Sequence, residues 1–79
     1  GGASIAFGSA ARATANGATA LGAQADARGT HAVAIGSQTT SSADASVAVG
    51  RLASASGDGA TAVGERAFAS RDGASAFGT

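Results

Sequence analysis

The chain has 79 residues, five basic and five acidic side chains, a formal net charge of zero and no cysteine. That balance excludes a nucleic-acid binder, which needs a basic stripe to displace counterions, and excludes electrostatic docking on an anionic membrane. Without thiols there is no disulfide framework and no thiolate metal site, and there is no run of about eighteen apolar residues to span a bilayer.

The first predicted element ends at Gly8. Ser4, Ile5, Ala6 and Phe7 alternate small and large side chains, the period-two pattern of a strand with two unlike faces. Gly8 marks a corner, where a side chain would clash or demand an unusual φ. A second strand follows over 10–14, with Ala11 and Ala13 on a small face and Ala10, Arg12 and Thr14 on the other; Ala15-Asn16-Gly17 then reads as a turn. The unit recurs in order. ATALG closes at Gly22 and leads to Ala25 and Ala27 backed by Gln24, Asp26 and Arg28; AVAIG closes at Gly36 and leads to Thr39 and Ser41 backed by Gln38, Thr40 and Ser42. SVAVG closes at Gly50 and leads to Ala53 and Ala55 backed by Leu52, Ser54 and Ser56, with Gly57-Asp58-Gly59 as its turn. ATAVG closes at Gly64 and leads to Ala67 and Ala69 backed by Arg66, Phe68 and Ser70, and ASAFG ends at Gly78.

The glycines at 8, 22, 36, 50, 64 and 78 therefore stand fourteen residues apart without an insertion. A fixed period of this kind predicts an all-β solenoid, with two short strands per coil and successive coils stacked as parallel strands about 4.8 Å apart. A disordered glycine-rich linker gives no reason for apolar residues to fall in phase. Residues 1–79 read as a single repeat array, cut from a longer one. The small faces meet inside, so Ala6, Ala20, Ala34, Ala48, Ala62 and Ala76 line the interior of the roll. The opposite face of the first strand aligns Ile5, Phe7, Leu21, Val33, Ile35, Val47, Val49, Val63 and Phe77 as one apolar stripe. A monomeric soluble protein rarely exposes so large a patch, and nine such side chains left in water would forfeit roughly 15–25 kcal/mol. The stripe is therefore expected to be buried against copies of itself in a closed cyclic assembly.

Ser46-Val47-Ala48-Val49-Gly50, with Ala32-Val33-Ala34-Ile35-Gly36 and Ser4-Ile5-Ala6-Phe7-Gly8, resembles the head repeat of YadA-like trimeric autotransporter adhesins, and the fourteen-residue spacing matches along the whole chain. The resemblance implies a left-handed parallel β-roll, a homotrimer of three identical chains around one axis, and display on the bacterial cell surface outside the outer membrane. It further implies a head that attaches to host extracellular-matrix proteins such as collagen, fibronectin or laminin, or drives self-association. The alternative within the family is a passive spacer carrying a binding region located elsewhere. Two positions depart from the fuller family motif. Asparagine five places before the glycine is replaced by Ala3, Gly17, His31, Ala45, Gly59 or Gly73, and serine three places after it by Ala11, Ala25, Thr39, Ala53 or Ala67. These departures concern collagen recognition and leave the fold inference intact.

Few other residues invite chemistry. There is no nucleophile–base–acid spacing, no phosphate-cradling loop and no metal-ligand cluster, so neither an enzyme nor a cofactor is expected. His31 reads as a solvated turn residue. Asp44, Asp58 and Asp72 share one turn position with Asn16 and Thr30, and read as Asx-turns rather than as a cation site. Arg12 and Asp26, and Arg51 and Glu65, are expected to form ladder pairs between coils. Phe68, with Arg66 and Leu52 beside it, interrupts the polar outer face and is the candidate ligand contact.

Overall fold

A computed structural model describes residues 4–78, so that Gly1–Ala3 and Thr79 lie outside the described residues. Two parallel sheets face each other. The first, sheet A, contains β1 (Ile5–Phe7), β3 (Thr19–Leu21), β5 (Val33–Ile35), β7 (Val47–Val49), β9 (Thr61–Val63) and β11 (Ser75–Phe77), ordered as in the chain. The second, sheet B, contains β2 (Arg12–Ala13), β4 (Asp26–Ala27), β6 (Thr40–Ser41), β8 (Ser54–Ala55) and β10 (Phe68–Ala69), again in coil order. Each residue pairs with the one fourteen positions on, as in Ala20↔Ala34↔Ala48 and Asp26↔Thr40↔Ser54. The repeat is thus a parallel β-solenoid with one coil per fourteen residues, flattened to extents of 28 × 22 × 10 Å.

The thinness follows from the interior. Ala20, Ala34, Ala48 and Ala62 are fully buried, and Ala18, Ala25, Ala27, Ala32, Ala53, Ala55 and Ala60 pack with them. Methyl groups are all that two sheets so close together can hold between them. Of the predicted interior alanines, Ala76 is half-buried and Ala6 is exposed, because β1 and β11 are the edge strands of sheet A. The alanine core is also divided. One buried cluster runs from Ala18 to Ala34 and a second from Ala48 to Ala69; between them lie Thr39, Ser41 and Ser46, the largest fully buried side chains.

These hydroxyls are satisfied within their own coil. Thr39 Oγ1 donates to Gly36 O (3.0 Å), Ser46 Oγ donates to Ala43 O (2.6 Å), and Ser41 Oγ donates to Ser46 O (2.8 Å) while lying 2.5 Å from Ser46 Oγ. A buried hydroxyl is tolerated only with such partners.

The second strand is shorter than its alternation predicts. Only the fourth and fifth residues after each glycine are extended; the second, at Ala10, Gln24, Gln38, Leu52 and Arg66, has φ between 61° and 63°. The corner is therefore a complete β-turn, closed by bonds such as Ala25 N to Gly22 O and Ala53 N to Gly50 O (3.2 Å each). Positive φ at the third position is the geometry of a type II turn. A matching turn closes the other side of the coil, with Gly17, His31, Ala45, Gly59 and Gly73 in the left-handed position and bonds such as Ala32 N to Gly29 O (3.0 Å).

The glycine that recurs every fourteen residues is required twice over. Gly22 has φ +122°, and a Cβ there would lie 2.7 Å from Gly36 O in the next coil. Gly29 has ordinary φ, yet a Cβ there would run into Ala43 O of the next coil, although other coils carry Ala15, Ala43 and Arg71 at the same position.

Candidate functional site

Among the described residues there is no enclosed pocket and no group of histidine, aspartate or glutamate side chains that could hold a metal. Nor is any helix long and apolar enough to cross a membrane. What the roll offers is two unlike faces.

Sheet A turns its alternate residues away from the alanine interior. Ile5, Thr19, Val33, Val47, Thr61 and Ser75 form one column by register; Phe7, Leu21, Ile35, Val49, Val63 and Phe77 form the next. No charged residue interrupts either column. Ile5, Phe7 and Phe77 are 55%, 74% and 71% exposed, whereas Leu21, Val33, Ile35, Val47, Val49 and Val63 are half-buried. The roughly 15–25 kcal/mol for nine side chains left in water is thus an upper bound for a single chain. Parallel stacking places like on like at strand spacing, so each inner residue is shielded by its neighbours above and below. The area still open to a partner is smaller than the count of residues suggests, and is greatest at the two ends.

Sheet B presents Arg12, Asp26, Thr40, Ser54 and Phe68 in one outward column. Arg12 and Asp26 are register partners, but the ion pair forms elsewhere. Asp26 Oδ2 lies 3.1 Å from Arg28 Nε on the same coil, where a residue two places along the strand projects from the same face. The second expected pair is present: Arg51 Nε (3.2 Å) and Nη2 (2.5 Å) both donate to Glu65 Oε2. The Glu65 carboxyl is held below its ordinary value, first by these hydrogen bonds and then by the charge of Arg51.

The aspartate column also differs from expectation. Asp44 Oδ1 accepts from Thr30 N and Asp72 Oδ1 accepts from Asp58 N, both at 3.1 Å. The acceptor thus serves the backbone of the coil before it rather than its own turn. Stacking places the N–H of residue i near the side chain of residue i+14, a partner invisible to local turn rules. His31 is exposed at a left-handed turn position, and its ring lies over Gly17, where a Cβ would sit 2.5 Å from Cδ2. Of the three residues singled out as a candidate contact, Leu52 and Arg66 occupy the corner turn and Phe68 the adjoining strand β10. Leu52 is 37% and Phe68 62% exposed, and Arg66 is exposed too.

Three features escaped the sequence reading: the left-handed residue two places after each glycine, the intercoil aspartate bonds, and the buried hydroxyl layer. The first had no compositional signal, since Ala, Gln, Leu and Arg do not favour φ > 0. The hydroxyl layer had one: Thr39, Ser41 and Ser46 are the small-face residues of consecutive strands in which alanine is otherwise the rule.

No match was found among curated proteins. The comparison with protein families matches the YadA head domain repeat (2 copies) over residues 1–25, 27–53 and 55–79. That repeat is a non-catalytic structural unit, so the chain is not an enzyme. With a fourteen-residue parallel roll, an apolar face and nearly every residue covered by the match, the chain belongs to the YadA head domain repeat family and is a YadA-like adhesin head domain.

Proposed function

We propose that this chain is the head segment of a trimeric bacterial surface adhesin, in which the apolar face of sheet A packs on two identical chains around a common axis and sheet B faces outward. The observation that carries the reading is the outer face of sheet A, which is free of charge in both columns and wholly apolar in the column Phe7, Leu21, Ile35, Val49, Val63 and Phe77. A two-chain assembly would suit a flat face as well; the choice of three, and of a left-handed coil, follows the family. In this reading the segment is one array, residues 1–79, within a longer head displayed outside the outer membrane. It attaches the cell to host extracellular-matrix protein or to a neighbouring cell through sheet B. The departures at His31, Ala45 and their equivalents count against collagen as the ligand. Nothing in the segment touches nucleic acid or membrane.

Sedimentation equilibrium tests the assembly first: a folded monomer at micromolar concentration would remove the basis of the proposal. Surface plasmon resonance of the assembled segment against fibronectin, laminin and collagen then tests attachment. Binding by the full adhesin, with none by the segment at high surface density, would assign this array the role of a spacer.

A further inference from the structure

The outward column of sheet B is polar at Arg12, Asp26, Thr40 and Ser54, and then places Phe68 in water at 62% exposure. Two residues upstream, Arg66 occupies the corner turn with φ 61°, and Leu52 holds the same corner one coil earlier with φ 63°. The bond Arg66 N to Arg51 O (2.9 Å) joins the two successive coils at this corner, which sets Leu52 and Arg66 in one column about 4.8 Å apart along the roll. The left-handed backbone is common to this corner in every coil; what is peculiar to Leu52 is an apolar side chain 37% exposed where the preceding coils carry Ala10, Gln24 and Gln38.

What distinguishes Arg66 is that it adjoins Leu52 and Phe68. Glu65, the carboxylate next to Arg66 in the chain, is taken by both guanidinium donors of Arg51. Arg66 forms no ion pair of its own among the described residues, as Arg12 and Arg71 form none, and its charge acts only weakly on Glu65, behind that of Arg51. A guanidinium with no ion pair of its own therefore adjoins two exposed apolar residues, one a coil before it and one two places along, on an otherwise polar, pocketless face.

We propose that Leu52, Arg66 and Phe68 form a docking site for an extended acidic–apolar peptide segment of a partner protein. A carboxylate pairs with Arg66, and the apolar side chains on either side of it cover Leu52 and Phe68. Bidentate carboxylate recognition suits arginine, and arginine beside an aromatic residue is the usual composition of an interface hot spot. A sulfated glycan fits less well, since the corner column above Arg66 holds Ala10, Gln24, Gln38 and Leu52 rather than a row of cations. The proposal rests on the outward orientation of sheet B. A three-chain assembly would show the site three times at one level, converting a weak contact into an avid one.

The test is a heteronuclear NMR titration of the assembled protein with a synthetic peptide alternating Asp and Glu with Leu and Phe. Lysine-for-acid and serine-for-apolar versions of that peptide, and a heparin oligosaccharide, serve as comparisons. The expected result is shift changes centred on residues 52, 66 and 68 with the first peptide only. Affinity should fall at least about tenfold in Arg66→Gln and in Phe68→Ser, and stay unchanged in Gln24→Ala. Absence of those shifts, or equal binding of heparin, would overturn the site. So would a loss of assembly in Phe68→Ser, which would place Phe68 between chains. Matrix-protein binding that survives Arg66→Gln and Phe68→Ser sinks this site and leaves the adhesin reading standing; peptide shifts without matrix-protein binding do the reverse.

Discussion

Every described coil turn uses a residue in left-handed backbone, and the fold accepts residues other than glycine there. Gly17, Gly59 and Gly73 fill the second turn at φ near +70°, while Ala45 does the same with φ 59°. A Cβ in that region costs about 1–2 kcal/mol, and glycine returns roughly 0.5–1 kcal/mol of that through its unfolded-state freedom. Ala45→Gly should therefore stabilise the fold by about 0.5–1 kcal/mol, read as a higher denaturation midpoint at unchanged slope; a lower midpoint would show that the Ala45 methyl has a packing role. Glu65 supplies a second residue-scale expectation. Its carboxyl lies below its ordinary value of 4.5, chiefly through hydrogen bonding from Arg51 and then through Arg51's charge, so the folded state takes up this proton less readily than the unfolded state. The resulting stabilisation is complete above the unfolded value and is lost as pH falls through the lower folded one. Comparing denaturation midpoints of the parent and Glu65→Gln from about pH 6 to about pH 3 isolates it, because the aspartates titrate in both proteins. The parent's small advantage should shrink on acidification and in high salt; an advantage independent of both would mean that the pair acts through packing.

At the scale of the element, the first strand was far more legible than the second. Val33-Ala34-Ile35 and its equivalents announce themselves because one face admits only a methyl group and the other does not, so two columns separate on inspection. The strand after the glycine has small residues on one side and almost anything on the other, and nothing in Gln24 or Leu52 signals left-handed backbone; closure of the coil imposes it. The outward column likewise pairs Asp26 with Arg12, one coil away, where the structure pairs it with Arg28, two residues along. The buried hydroxyls are likewise a property of two strands together. Ser41 on β6 and Ser46 just before β7 bond across the interior, and the alanine core stops on either side of them. Ser41→Ala and Ser46→Ala should each cost about 0.5–1.5 kcal/mol, since each removes one net hydrogen bond. The double variant should cost clearly less than the sum, because it continues the methyl interior and leaves no hydroxyl behind. Chemical denaturation of the four proteins gives the cycle, and strict additivity would mean that the two serines act separately.

At the scale of the whole molecule, the contrast between the faces is tested by placing the same charge on each. Ile35 lies at mid-height on sheet A, half-buried between Leu21 and Val49 in its column. In an assembly closed around sheet A, Ile35→Asp would bring one carboxylate per chain into an apolar, water-poor axis where each lacks a counter-ion. Breaking such a face with an unpaired charge is worth several kcal/mol, enough to dissociate the chains or to force the carboxyls to remain protonated. Ser54 lies on sheet B in the column that already carries Arg12 and Asp26, where Ser54→Asp adds a solvated charge of modest effect. Sedimentation velocity at neutral pH should therefore find Ile35→Asp dissociated or unfolded and Ser54→Asp assembled as the parent. Acidification should restore assembly to Ile35→Asp alone, since protonation removes the buried charge. The stacking of like on like within each column lessens the exposed area of a single chain without removing the need for a partner: the half-buried Leu21, Ile35, Val49 and Val63 still leave apolar surface in water unless another chain covers it. If both variants behave alike, the apolar columns are not the contact between chains, and the half-burial that stacking supplies is enough for the roll to stand alone.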